Sequence, residues 1–252
     1  MDQIERKSLL YKTEVEYGDY TVNHIVGCSH GCRYPCYAMM LSKRFGRCSS
    51  YDEWCNPRIV SNSLELLRKE LPPKKETIKT VHLCFMSDPF MYGYPEVSKL
   101  SVEIIKYINS QGIPCSTLTK GIMDDDVFTT SKNNNLGITV VSLDRDFCEN
   151  FEPGAAPVRD RISSLKKAHE RGFKTWVSIE PYPTPNIIEQ DLEEILDAVS
   201  FADHFIFGKM NYNPLVSKYH AHKNFYNECT KTVIDFCLSS GKTYHIKEKT
   251  AT

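Results

Sequence analysis

From residue 80 onward the chain alternates apolar runs of strand length with segments of helical period, and no other feature restricts its fold as much. Strands are expected near 22–27 (VNHIVG), 80–85, 114–118, 137–143, 174–179 and 204–207. Helices are expected at 38–45, 62–70, 97–110, 124–131, 158–171, 190–200 and 221–238. In LSVEIIKYINSQG, Leu100, Val102, Ile104, Ile105 and Ile108 approximate one helical face, and Gly112 supplies a stop. About six strand–helix units imply a parallel α/β sheet, expected here as a partial (β/α)6 TIM-type barrel; a doubly wound open sheet would produce the same alternation. In either fold the chemistry belongs at the carboxyl ends of the strands.

The 252 residues suffice for one large domain, and no repeat or long linker divides them. A single domain over 1–252 is expected, with a barrel core at 20–210 and a helix plus closing strand in 211–252; LPPKKETIK at 71–79 reads as a loop. The net charge of −1 argues against a globally basic, nucleic-acid-coating protein, while leaving room for a local basic groove. The first twenty residues carry early charges and no continuous apolar segment, so neither a secretory signal nor a membrane span is evident, and a cytoplasmic location is expected. There the ten cysteines stay reduced, which favours metal ligation or plain burial over disulfides. Cys84, Cys115, Cys148, Cys229 and Cys237 lie in apolar or helical surroundings and read as small buried hydrophobes.

Three cysteines fall within nine residues in GCSHGCRYPCYA at 27–38, after the first strand and before a helix. Spacing of four would stack thiols on a helical face, but Gly31 and Pro35 disfavour a continuous helix, so the segment reads as a loop wrapped around something. Soft thiolates without carboxylates select zinc, Cu(I) or an iron–sulfur cluster. A closed zinc site needs a fourth ligand, from His30, Cys48 or Cys55, and would make the protein a structural or nucleic-acid-binding module. A cluster on three thiolates instead leaves one iron open to an external ligand. A thiol redox protein is disfavoured for want of a Cys-x-x-Cys pair.

The loop resembles that of radical SAM proteins, especially the branch related to spore photoproduct lyase and DNA repair photolyase-like proteins, whose loop reads approximately G-C-x-H-x-C-x-Y-C-Y-A. The usual spacing there is C-x-x-x-C-x-x-C, and this chain has one more residue before the third cysteine. Further segments resemble the family in order: VHLCFMSDPF, GIPCSTLTKG, then VVSLDRDFCENFEPGAAPVRDRISSLKKAHERGFKTWVSIEPYPTP, so that the likeness runs from about residue 20 to 185. It implies a [4Fe–4S] cluster on Cys28, Cys32 and Cys36, with S-adenosyl-L-methionine bound at the fourth iron and cleaved reductively to a 5′-deoxyadenosyl radical. Tyr37 would pack near the adenine. Ser87 and Asp88 would bond the methionyl ammonium and nearby hydroxyls, Lys120 would pair with the carboxylate, and Ser142 and Glu180 would complete a ring of strand-end polar groups. Arg161 reads either as a cofactor contact or as part of a solvated charged face.

In spore photoproduct lyase a hydrogen-donating cysteine stands two residues before the Ser-Asp pair. Phe85 stands there in this chain, and strand alternation would turn Cys84 to the opposite face, so relatedness in fold and radical initiation is expected without the same substrate. FGKMNYNP at 207–214 offers further strand-end polar groups. Lys247 and Lys249 are expected on one face of a closing strand in HIKEKT; with Lys43, Arg44 and Arg47 they hint at a nucleic-acid or phosphate-bearing substrate. A flavodoxin or ferredoxin would supply the electron, and an open-sided barrel permits a partner protein to complete the site.

Overall fold

The computed structural model describes residues 1–251, so the last residue of the expected 1–252 domain lies outside the described residues. The amino-terminal third comprises β1 (Asp2–Ile4), β2 (Leu10–Lys12), β3 (Tyr20–Val22), β4 (Ile25–Val26), α1 (Tyr37–Arg44), α2 (Tyr51–Cys55), β5 (Arg58–Val60) and α3 (Ser63–Glu70). Then come β6 (Val81–Leu83), α4 (Pro95–Ser110), β7 (Cys115–Thr119), β8 (Asn135–Thr139), α5 (Arg145–Phe151), α6 (Val158–Glu170) and β9 (Lys174–Tyr182). The chain continues through α7 (Leu192–Ala198), β10 (His204–Lys209), α8 (Pro214–Lys218), α9 (His222–Ser239) and β11 (Thr243–Ile246).

The main sheet has eight strands in the order β11-β10-β9-β8-β7-β6-β3-β2, and every pair is parallel except β2 with β3. A doubly wound sheet would reverse direction at a switch point, and this order never reverses. Right-handed crossovers that always advance the same way place the helices on one face, which leaves a concave face open, as in an unclosed barrel. Six parallel strands and a closing strand in 245–250 were expected; the closing strand is β11, which lies at Thr243–Ile246 and pairs parallel with β10. The first expected strand divides, because β4 leaves for a small second sheet of order β1-β5-β4. The helix expected at 124–131 is a 3-10 turn over Asp125–Thr129. The sequence reading missed α5, which has seven residues: its start is set by Asp144, whose side chain accepts the Phe147 N–H, and it is too short to show a period.

Strand alternation sorts the side chains. In β9, Val177 and Ile179 join the main core, which also takes Val81 and Leu83 of β6, Leu136 and Ile138 of β8, and Phe205 and Phe207 of β10. The helices pack over this row: α4 against β7, α6 against β8 and β9, and α9 against β10 and β11. The alternate row, including His82, Thr139, Ser178 and Glu180, lines the concave side. At the open side of the barrel, the loop between β2 and β3 reaches the segment after β11. Glu16 accepts from His245 Nε2 at 2.7 Å and the Glu248 N–H at 3.1 Å, and pairs with Lys247 Nζ at 2.9 Å. Among the described residues no helix is long and apolar enough to cross a membrane.

Ile138 is fully buried in the central strand, so Ile138→Ala is expected to lower stability by about 2–5 kcal/mol in a denaturant titration. Lys167→Ala, which removes an exposed ion pair with Asp125 and a cation–π contact with Phe128 at 5.5 Å, is expected to cost no more than about 1 kcal/mol.

Candidate active site

The segment carrying Cys28, Cys32 and Cys36 is a loop, as the glycine and proline dictate: Gly27 and Gly31 have φ of 90° and 56°, and Cys36 is the N-cap of α1. A web of backbone contacts holds it. The Cys28 N–H donates to the Trp54 carbonyl, the Arg33 N–H to the Phe151 carbonyl, and the Gly154 N–H to the His30 carbonyl at 3.0 Å. Gly154 permits that approach, since a Cβ there would stand 2.1 Å from the Ser29 carbonyl oxygen. Tyr51 O–H donates to the Gly31 carbonyl, and Ser87 O–H to the Gly27 carbonyl. In the spacer before the third cysteine Tyr34 is buried, and its hydroxyl donates to Glu152.

All three thiols open onto one cavity of about 710 Å³ at the carboxyl ends of the strands. Burial raises all three above the ordinary thiol range, Cys36 to about 11; at Cys32 the nearby Lys120 opposes the rise. Among the described residues no group of three His, Cys, Asp or Glu is placed to hold a single metal ion. His30 does not complete a zinc site with these thiols, because Nε2 accepts the Tyr92 N–H at 3.1 Å while Nδ1 faces Asp88 at 3.4 Å. Cys48 is buried against Ala38 and Trp54. The donor set, three disulfide-free thiols along one cavity wall, fits a cluster with a free coordination position.

Asp88 is buried and fully engaged. Oδ1 accepts from the Phe90 N–H and Thr119 O–H, at 2.9 and 2.6 Å, and Oδ2 accepts the Lys120 N–H at 2.8 Å. One carboxylate thereby ties the end of β7, the turn after β6 and the thiol loop together. Lys120 Nζ lies 3.5 Å from Cys32 Sγ, 4.4 Å from the centre of the Tyr34 ring and 3.0 Å from Glu152 Oε1. Arg161 Nη1 holds Glu152 Oε2 at 2.6 Å, and the two residues are only 1% and 2% exposed. Arg161 is therefore not part of a solvated face; its Nε also donates to the Ala156 carbonyl. The two cations hold the Glu152 carboxyl below its ordinary range against a burial effect that would raise it.

The expected ring is brought together only in part. Tyr37, Ser87, Asp88, Lys120 and Glu180 line the cavity, but Ser142 does not: β8 ends at Thr139, and Ser142 is fully buried with its hydroxyl accepting the Asp144 N–H ahead of α5. Thr139 and Ser178 take that place on the wall. Tyr37 O–H donates to the Phe85 carbonyl. Burial raises Glu180, with Lys247 opposing and Glu16 adding to the rise; Gly208 leaves the room that brings Glu180 and Lys247 together. Cys84 and Phe85 both line the cavity, contrary to the alternation argument, because β6 ends at Leu83 and the chain then turns. Lys209, Asn211 and Tyr212 reach the rim, as do Lys247 and Lys249, which stand in a turn after β11 rather than on a strand face. Glu152 was missed as a functional residue, although it opens the Glu-Pro-Gly-Ala segment that carries the family likeness. An aromatic group that sequence reasoning also missed forms one end: His82 stacks on Phe85 at 4.0 Å, and Tyr17 meets Phe85, Trp176 and His245 edge-on.

The family model of the Radical SAM superfamily matches residues 22–199, and the chain belongs to that superfamily. Uncharacterized protein ORF301 of Acidianus two-tailed virus is 26% identical over 188 residues, 71% of this chain and 61% of that protein. Uncharacterized protein Rv2578c of Mycobacterium tuberculosis is 26% identical over 191 residues, 73% of this chain and 55% of its own length. The chain thus spans somewhat more than half of these relatives. Its fold is that of spore photoproduct lyase: a mutant of that enzyme with bound AdoMet and dinucleoside spore photoproduct superposes with a TM-score of 0.70 at 13% identity, over 97% of this chain and 80% of the lyase.

Arg161→Met is expected to destabilise the protein by about 3 kcal/mol, the low end for a broken buried pair because Lys120 remains on Glu152; thermal or urea unfolding measures it. Burial holds His24 and His82 neutral, each with a pKa of about 3 against 6.5. Below pH 6.5 the unfolded chain takes up protons that the folded chain refuses, so stability falls as pH drops from about 6.5 toward 3. His82→Phe is expected to flatten that fall, read from midpoints across the pH series.

Proposed function

We propose that the protein is a radical SAM enzyme that binds a [4Fe–4S] cluster on Cys28, Cys32 and Cys36 and S-adenosyl-L-methionine in the cavity beside it. The observation that carries this reading is the opening of three disulfide-free thiols onto one cavity at the strand ends, in a chain of this superfamily. When bound, such a cluster supplies the electron that cleaves the sulfonium to a 5′-deoxyadenosyl radical. The chain's residues bind, orient and shield. Cys28, Cys32 and Cys36 are the ligands, and Lys120 beside Cys32 offsets the negative charge gathered on the thiolates. Its bond to Glu152 fixes its position, so it acts as an oriented cation at the carboxylate end of the cofactor. Asp88 and Ser87, which line the cavity, accept or donate within the protein and so position the loop and the strand ends around the cofactor. Tyr37, held by the Phe85 carbonyl, offers a ring for the adenine. Glu180, Thr139 and Ser178 supply acceptors and hydroxyls along the wall, and the apolar and aromatic surroundings exclude water.

The substrate would enter over the aromatic end formed by Tyr17, His82 and Phe85, beneath the rim lysines Lys209, Lys247 and Lys249. Stacking surfaces under cations suit a nucleotide or an extruded nucleic-acid base. An external one-electron donor of flavodoxin or ferredoxin type, a cytoplasmic setting, and a single domain spanning the chain complete the reading; the gap bridged by Glu16 is where a partner protein would complete the site.

Anaerobic reconstitution with iron and sulfide, followed by dithionite and S-adenosylmethionine, tests it. The expected result is a brown protein with about four irons that forms 5′-deoxyadenosine on chromatography, and a Cys32→Ala variant that forms none. A colourless protein retaining one zinc and leaving S-adenosylmethionine intact would establish the zinc module instead.

A further inference from the structure

The proposed chemistry consumes one electron per cleavage, which the chain must receive across its surface. Besides the three ligands, the cysteines are dispersed: Cys48, Cys84, Cys115, Cys148, Cys229 and Cys237 are each buried, and Cys55 is half-buried. Near the thiol loop the surface is uneven in charge. Residues 33–58 carry five Lys or Arg against two Asp or Glu, a local net charge of +3 in a chain whose net charge is −1. Glu53, one of the two acids, is already paired with Arg58. Three of the cations, Lys43, Arg44 and Arg47, are exposed at the end of α1, together with two large apolar side chains, Met40 at 40% exposure and Phe45 at 62%. The Arg47 guanidinium lies 5.6 Å from the Phe45 ring centre, so the apolar and basic groups form one patch.

Position separates this patch from the substrate cavity. Lys120, Lys209, Lys247 and Lys249 line the cavity, and none of the five patch residues does. The sequence grouped Lys43, Arg44 and Arg47 with Lys247 and Lys249 as one hint of a phosphate-bearing substrate; the fold assigns them to different surfaces. Cys36 is the N-cap of α1, which places Phe45 about 13 Å along the helix axis from a cluster ligand. Beside the ligands, Ala38, Cys48 and Trp54 form a buried layer packed against Cys28, Cys36 and Met39.

We propose that Met40, Lys43, Arg44, Phe45 and Arg47 form the docking surface for a small acidic electron-carrier protein. This rests on the cluster reading above. The cations steer an acidic partner, and Met40 and Phe45 provide the apolar centre that a short-lived complex needs. The step is a one-electron transfer: the reduced carrier loses one electron, the protein's cluster gains it, and no proton or group moves between the two proteins.

The test compares Lys43→Glu/Arg44→Glu/Arg47→Glu with a control of identical charge change elsewhere, Lys106→Glu/Lys166→Glu/Lys231→Glu, all three of whose lysines are exposed on other helices. Binding of an oxidised bacterial flavodoxin to the reconstituted protein is measured by calorimetry at low and high salt, with circular dichroism as a folding check. The patch variant is expected to bind at least about ten-fold more weakly at low salt than the control variant, and Phe45→Ala several-fold more weakly than wild type. In a second arm, 5′-deoxyadenosine formation driven by flavodoxin, its reductase and NADPH is expected to fall about ten-fold in the patch variant, while dithionite-driven formation stays at the wild-type level. Equal binding by the two triple variants overturns the proposal, as does loss of affinity for a single-stranded oligonucleotide with flavodoxin binding unchanged. Failure of wild type with dithionite would sink the radical reading by itself, and the binding arm would still judge the surface.

Discussion

A buried carboxylate between two cations is costly to assemble and hard to move, and Glu152 is such a group. Removing its charge from water is repaid only because Lys120 and Arg161 both reach it at close range and Tyr34 adds a hydroxyl. Each of those partners belongs to a different part of the site: Lys120 follows β7, Arg161 sits on α6 at the back of the barrel, and Tyr34 lies between two of the thiols. The ion cluster therefore sets the distance between the helix layer, the strand ends and the thiol loop. It helps to hold Lys120 beside Cys32.

Asp88 performs a complementary task with hydrogen bonds in place of ion pairs. Its two oxygens receive the Phe90 and Lys120 N–H groups and the Thr119 hydroxyl, and His30 of the thiol loop abuts it. A carboxylate so occupied orders the surrounding backbone before any ligand arrives, which lowers the entropy lost on binding. The monotonic strand order puts the helices and the packed core on one face. The concave face is then free to carry polar and aromatic side chains that would be intolerable in the core.

The two basic groups near the cavity illustrate how position alters meaning. Lys247 is held by Glu16 across the open side of the barrel and faces inward, whereas Lys43, Arg44 and Arg47 project from α1 beside exposed Phe45. Cations of the same type thus serve an enclosed site in one case and an outer surface in the other.

Local residue patterns determined the strand–helix order, the parallel sheet and the thiol loop, because periodicity, Gly31 and Pro35 act over a few residues. Bounds erred where an element was too short to show its period: Asp144 caps a seven-residue helix, and β6 stops at Leu83, bringing Cys84 and Phe85 to the same cavity. The charged helix DRISSLKKAHERG could not reveal that Arg161 is buried, since its partner Glu152 lies on another element and a solvated face has the same composition. Ser142 fell outside the cavity because its strand ended three residues earlier. Sequence alone determined which groups the protein possesses and in what order its elements follow. Only the tertiary structure decided which of them share a cavity, because burial and charge pairing depend on contacts between residues far apart in the chain.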